Sequence, residues 1–294
     1  MRVSTPHFFQ TNADHMSLRQ KGVSDIQAKL ATGKQLVNPS DDPSKANLIA
    51  RLESARERQS VYTKNLDSAQ THLVSEESVL ATMTEIMQRI SELTIQGGND
   101  TLGAGDRNVI GTEIGALRDE LLSLANTQDA FGNYLFSGNK VTKPAFTENS
   151  SGVVTYNGDY GRLEVNISDD RKMAINTLGH EMFSTADFAA LDTLVTKLKA
   201  NDGTAVRTQL GNVNTISDKL AVAYGAMAGR VQAIESHRLV IEETELRLDQ
   251  LLMQESDLDY ASAVTELSKE SLGLQALQAS FAKITQMTLF NYLR

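Results

Sequence analysis

Residues 52–90, LESARERQSVYTKNLDSAQTHLVSEESVLATMTEIMQRI, carry a three-four alternation of apolar side chains that only a long helix can use. The seam runs Leu52, Ala55, Gln59, Tyr62, Leu66, Ala69, Leu73, Glu76, Leu80, Met83, Met87 and Ile90, and all but Gln59 and Glu76 are apolar. An average helix has about 11–12 residues, so the stripe predicts one unusually long helix, from Pro43 to about Gln96. Asp42-Pro43 marks its start: a carboxylate caps the first free N–H groups, and proline at the first helical position lacks an N–H that would have no partner there. Gly97-Gly98-Asn99-Asp100 breaks it.

Working outward, a second helical stripe follows in Ile110, Ile114, Leu117, Leu121 and Leu124, so two antiparallel helices joined by a loop are expected. The pattern changes between Tyr134 and about Gly179. Val153–Tyr156, the turn residues Asn157-Gly158-Asp159 and Leu163–Ile167 predict a β-hairpin, with Lys172–Ile175 as a further strand. A short helix carrying Phe188, Leu191, Leu194, Val195 and Leu198 follows. The long seam then resumes, mostly apolar, through Val206, Leu210, Val213, Ser217, Leu220, Tyr224, Met227, Val231, Ile234, Arg238, Ile241, Glu245, Leu248 and Leu252. Both ends carry their own stripes: Phe9, Met16, Val23 and Leu30 at strict seven-residue spacing with Ile26 beside them, and Leu267, Leu274, Leu277, Phe281 and Ile284 leading to Leu289-Phe290.

The expected fold is mainly α: a long antiparallel helical bundle or coiled-coil rod formed by both chain halves, with a small β-rich insertion between them. Residues 1–33 and 260–294 are expected to form a terminal assembly domain, 34–133 and 185–259 the helical rod, and 134–184 the β-rich part. Composition agrees. Four prolines in 294 residues leave helices uninterrupted, and the absence of cysteine excludes disulfides and thiolate chemistry. With 28 basic against 37 acidic residues, there is no surplus positive charge for nucleic acid or anionic membrane surfaces. No run of 18 apolar residues predicts a membrane span.

Catalysis needs convergent polar groups, and none is expected. His7, His15, His72, His180 and His237 are scattered, and His180-Glu181 lacks the second histidine of a zinc-protease motif. Gly103-Ala104-Gly105 does not follow a strand and lacks the third glycine of a dinucleotide loop. Asn157-Gly158-Asp159 and Asp257-Leu258-Asp259 fall short of a calcium loop and are expected to serve as turns and caps. No metal or cofactor is therefore expected. The terminal stripes are the informative feature, because each large apolar side chain gains about 1.5–3 kcal/mol on burial and must find a partner surface. Phe9, Met16, Val23, Ile26, Leu30, Leu267, Leu274, Leu277, Phe281, Ile284, Leu289 and Phe290 are the candidate assembly residues, and Asn38, Asp41 and Asp42 the candidate structured turn.

Several segments resemble the flagellin family. Leu30-Ala31-Thr32-Gly33-Lys34 running into Asn38-Pro39-Ser40-Asp41-Asp42-Pro43 is similar to the family's N-terminal hallmark, and Leu124–Asn133 is similar to the segment closing its N-terminal half. Asp257-Leu258-Asp259-Tyr260-Ala261 with Glu266-Leu267-Ser268 resembles its C-terminal signature. Tyr134-Leu135-Phe136-Ser137-Gly138, Tyr156-Asn157-Gly158-Asp159 and the tail from Ser280 to Leu293 resemble the branch that joins hook to filament. The resemblance implies a structural flagellar protein, delivered by an export chaperone to the flagellum's own secretion channel. It would assemble outside the cell as a ring of identical subunits, with hook-associated protein 1 below and flagellin above. A short flagellin and a cytosolic coiled-coil adaptor are the alternatives.

Overall fold

The computed structural model describes residues 5–292, with side chains described for residue 7 and for 9–284. Seven helices and four short strands occur in these residues: α1 (Thr5–Thr32), α2 (Pro43–Gly97), α3 (Ala104–Ala125), β1 (Phe146–Glu148), β2 (Val154–Tyr156), β3 (Glu164–Asn166), β4 (Lys172–Ala174), α4 (Gly179–Met182), α5 (Thr185–Lys199), α6 (Gly203–Ser256) and α7 (Tyr260–Tyr292). The chain divides into two compact units, residues 1–58 with 243–294 and residues 59–242.

In the second unit the predicted seams supply much of the core, with Tyr62, Leu210, Tyr224 and Val231 only half-buried. Leu66, Ala69, Leu73, Glu76, Leu80, Met83, Met87 and Ile90 of α2 are all buried, as are Val206, Val213, Leu220, Met227, Ile234 and Ile241 of α6. The two helices run antiparallel, since contacts that climb α2 descend α6. Arg238 Nη1 lies 2.9 Å from Asp67 and its Nη2 donates to Gln70 at 2.6 Å. At the far end Arg207 Nη1 donates to the Gly98 carbonyl at 2.7 Å. Helix α3 folds back beside α2, with Arg89 pairing Glu113 at 2.8 Å. Arg107, buried on α3, donates to the Gly97 carbonyl at 2.9 Å and the Asn99 carbonyl at 2.8 Å, which caps the end of α2. Arg118, also buried, pairs with Glu148 at 2.7 Å and Asp192 at 3.1 Å and lies over the Phe188 ring, joining α3, β1 and α5.

The β-rich part consists of two separate antiparallel hairpins. β1 pairs with β2 in the register Phe146–Tyr156, Thr147–Thr155, Glu148–Val154, and β3 with β4 as Glu164–Ala174, Val165–Met173, Asn166–Lys172. This corrects the expectation that Val153–Tyr156 would pair with Leu163–Ile167. Asn157-Gly158-Asp159 does not close a hairpin. The Asp159 carboxylate accepts the N–H groups of Asn139 at 2.7 Å and Gly161 at 3.0 Å, while its own N–H goes to the Ser137 carbonyl at 3.1 Å. The turn that does close the first hairpin is Asn149–Val153. There the Asn149 Oδ1 accepts from Ser151 at 2.9 Å and Val153 at 3.0 Å, and Gly152 takes φ +79°. Burial explains the choice. Phe146 is 2% exposed and its ring packs edge-on against Tyr156, Phe183 and Phe188, which anchors β1 in the core. Burial also pushes the Tyr156 phenol up to about 12, so it stays a donor, to the Asp159 carbonyl at 2.8 Å.

Candidate assembly interface

The first unit is built on α1 and α7. Seven-residue spacing puts Phe9, Met16, Val23 and Leu30 on one face of α1, and the same spacing aligns Leu267, Leu274 and Phe281 on α7. The structure brings the two faces together antiparallel. The Phe9 and Phe281 rings meet edge-to-face, with centroids 5.6 Å apart and planes at 85°, and Arg19 Nη1 bonds both carboxylate oxygens of Glu270 at 2.6 and 2.7 Å.

The joint after α1 fixes this pairing. Gly33 adopts φ +69° and sends its N–H to the Lys29 carbonyl at 2.8 Å, a left-handed helix ending that L side chains resist. A Cβ at Gly33 would sit 2.7 Å from the Tyr260 hydroxyl, so that side chain would have to shift to admit one. Two backbone bonds, Leu258 N–H to the Gly33 carbonyl at 3.0 Å and Gln35 N–H to the Ser256 carbonyl at 2.8 Å, clamp the start of α7 to the end of α1. Asp259 caps α7, accepting from the Ser262 hydroxyl at 2.7 Å and the Ala261 N–H at 3.0 Å. The Ser262 hydroxyl and N–H hold its carboxyl below the usual range, against a slight opposing effect of burial.

The candidate turn residues lie on the next segment. Asp42 Oδ1 accepts the N–H groups of Ser44 at 3.1 Å and Lys45 at 2.9 Å, so it caps α2, and Asp41 donates its N–H to the Asn38 carbonyl at 3.0 Å. Lys45 then ties the turn to Gln35 at 2.5 Å and to Glu255 at 3.6 Å. All three candidate turn side chains, Asn38, Asp41 and Asp42, are exposed.

Burial separates this unit from the other. Of the ten candidate interface residues whose side chains are described, only Ile26 is buried; Phe9, Met16, Val23, Leu30, Leu267, Leu274, Leu277 and Phe281 are half-buried, and Ile284 is exposed. Leu289 and Phe290 lie outside the residues whose side chains are described. Sequence reasoning missed Ala263, which is buried, and the Gly33–Tyr260 approach. The small residue at Ala263 was the available signal for a close approach. Two paired helices can each cover only one side of the other, so the stripe's flanks stay in water; Leu18 and Leu272 are each 68% exposed. Removing such apolar surface from water is the dominant gain in protein–protein contact. Among the described residues no group of three or more His, Asp or Glu is placed to hold a metal, and no helix is long and apolar enough to cross a membrane.

Residues 3–141 match the family model described as the bacterial flagellin N-terminal helical region. The chain is 28% identical to flagellar hook-associated protein 3 of Escherichia coli (strain K12), over 99% of both chains. Along almost its whole length the chain is therefore similar to hook-associated protein 3, and over residues 3–141 to the flagellin N-terminal helical region. Filament flagellins correspond to less of it: polar flagellin F of Vibrio parahaemolyticus is 24% identical over 51% of this chain and 38% of its own length. The fold agrees with that of a hook-associated protein 3 from Legionella pneumophila, at TM-score 0.64 and 16% identity, covering 71% of this chain and 98% of that one.

Proposed function

We propose that this hook-associated protein 3 homologue is the junction subunit between hook and filament: it polymerises as a ring of identical copies, seated on hook-associated protein 1 and presenting flagellin with its first docking surface. The observation that carries this reading is the correspondence with hook-associated protein 3 along the whole of both chains, where a flagellin corresponds only in part. The half-buried terminal seam supports it, since helices that cannot close on themselves call for neighbouring subunits. We place the assembled protein outside the cell, exported by the flagellar secretion apparatus after release from an export chaperone. Residues 1–33 and 260–294 are the assembly part in this proposal.

The test is Phe281→Asp. It loses the edge contact with Phe9 and puts a charge into an apolar seam, at every copy of a ring. Cells carrying it should export the protein yet lose filaments and shed flagellin into the medium, with antibody against the chain no longer labelling the hook tip. Normal filaments on such cells would overturn the junction assignment. Long filaments made by the purified chain alone would assign it as a short flagellin instead.

A further inference from the structure

We infer that His237 is an acid-sensitive latch: the β3–β4 hairpin stays docked on α2 and α6 while this ring is neutral, and protonation of the ring releases it. The docking lies wholly within the second unit. Asn65 Nδ2 donates from α2 to the Asn166 carbonyl at 2.8 Å, the Tyr62 hydroxyl donates to Asp169 Oδ1 at 2.5 Å, and Ile167, 2% exposed, enters the core. The Arg171 carbonyl closes the turn between the strands, accepting the N–H groups of Ile167 at 2.9 Å and Ser168 at 3.3 Å. That turn fixes the backbone of residue 171 and brings its guanidinium within electrostatic reach of His237 on α6.

The two ring nitrogens of this half-buried histidine differ. Nε2 is enclosed by protein and has no hydrogen-bond partner, whereas Nδ1 is not enclosed. A neutral ring suits the site with its proton on Nδ1, in reach of water, and the Nε2 lone pair turned inward. A second proton puts an N–H and a positive charge at Nε2, where no acceptor meets it and burial of charge is costly. Burial first, and then the Arg171 charge, both oppose the imidazolium and hold the ring below the ordinary histidine value. The acids of the flanking segments are engaged elsewhere. Asp169 accepts from Tyr62, Asp67 pairs with Arg238 at 2.9 Å, Glu235 accepts from Gln70 at 3.1 Å, and Asp170 is exposed. His72 is the contrasting case, with Glu76 Oε1 3.2 Å from its Nε2.

The unfolded chain binds this proton more readily than the folded one. The docked arrangement therefore carries no cost above the unfolded histidine value of about 6.5, and a growing cost as pH falls below it. Local opening relieves that cost with the fewest contacts broken. β3 and β4 are three residues each and form a sheet of their own, sharing no strand with β1 and β2. Moving them away takes Arg171 from the ring and gives Nε2 water, while the buried seams of α2 and α6 stay closed. A two-stranded hairpin on its own is marginal in water, so its ladder hydrogen bonds are lost with the docking.

Hydrogen exchange of the full chain, read by mass spectrometry at about pH 7.5 and about pH 5.5 and corrected for the intrinsic pH dependence of exchange, tests the inference. The expected result is a loss of protection in residues 163–175 at the lower pH, with the buried stretches of α2 and α6 still protected. His237→Gln, neutral at both pH values, should remove this pH dependence. Arg171→Gln, at an exposed position, should make the acid loss smaller. Equal protection of residues 163–175 at both pH values in the unsubstituted chain would overturn the inference. So would an acid loss as large in either variant as in the unsubstituted chain, or one spread evenly over residues 59–242. If His237→Gln does not fold, the Arg171→Gln comparison decides alone.

Discussion

Replacing Glu76 with alanine should be among the most damaging single changes in the second unit. Glu76 interrupts the apolar seam of α2, yet it is 0% exposed. Both its carboxylate oxygens accept the backbone N–H of Thr177, at 3.0 and 3.2 Å, and Oε1 lies 3.2 Å from His72 Nε2. Arg230 donates to the Thr177 hydroxyl at 3.0 Å from α6. Burial pushes that guanidinium below its usual range, and the Glu76 charge opposes the push. The acid therefore pins the strand-to-helix segment 176–178 to α2 and faces a half-buried cation. Alanine removes a hydrogen bond to a charged acceptor, about 1.5–3 kcal/mol, and orphans a buried N–H, about 1–3 kcal/mol. These overlap, so the expected loss is below their sum, about 2–4 kcal/mol. Glu76→Gln keeps an acceptor for Thr177 and should cost about 1–2 kcal/mol. Urea denaturation of the full chain followed by far-ultraviolet circular dichroism measures both. A loss under about 1 kcal/mol for alanine, or glutamine as costly as alanine, would refute the role assigned to the carboxylate.

Gly33→Ala should destabilise the first unit by about 1–2 kcal/mol from its left-handed backbone alone, and combining it with Tyr260→Phe should recover part of any further loss by removing the hydroxyl 2.7 Å from the new Cβ; thermal melts of the single and double variants decide. Asp42→Ala removes the α2 cap and should cost about 0.5–2 kcal/mol without abolishing the fold; a neutral melt would mean that Lys45 and its partners carry the turn. Asp129 is subject to burial, which raises its pKa, but the N–H and side chain of Asn133 and the N–H of Phe131 hold it below the ordinary carboxylate value. A depressed folded pKa contributes stability above the unfolded value of about 3.9 and loses it as pH falls through the folded value. The Phe131 turn should therefore loosen only in acid, and amide exchange at Phe131 and Asn133 should show a pH threshold that Asp129→Asn abolishes.

The periodic part of this protein was written in its sequence. Seams such as Leu66 to Ile90 specify a buried helix face by spacing alone, because burial of that face is a local consequence of 3.6-residue geometry. The caps and breakers at Asp42, Gly33 and Gly97-Gly98 act within a few residues, so they too were legible. The pairing of the terminal stripes could be inferred because both are apolar at matching spacing, and the Phe9–Phe281 contact follows that matching.

Strand pairing was decided elsewhere. Asn157-Gly158 has the composition of a hairpin turn, but Asp159 finds better partners in the N–H groups of Asn139 and Gly161, and Phe146 draws its own strand beside Val154–Tyr156 by entering the aromatic core. Glu76 is the same case in a helix: its place in the seam looks like a defect until Thr177, 101 positions along the chain, supplies the donor. Phe131 is the converse, a residue whose hydrophobicity suggests the core and whose turn holds it in water. Periodicity settles which face of an element is buried. Which distant polar group satisfies a buried acid, and which aromatic ring the core leaves out, depends on groups far apart in sequence, and only the folded chain brings them together.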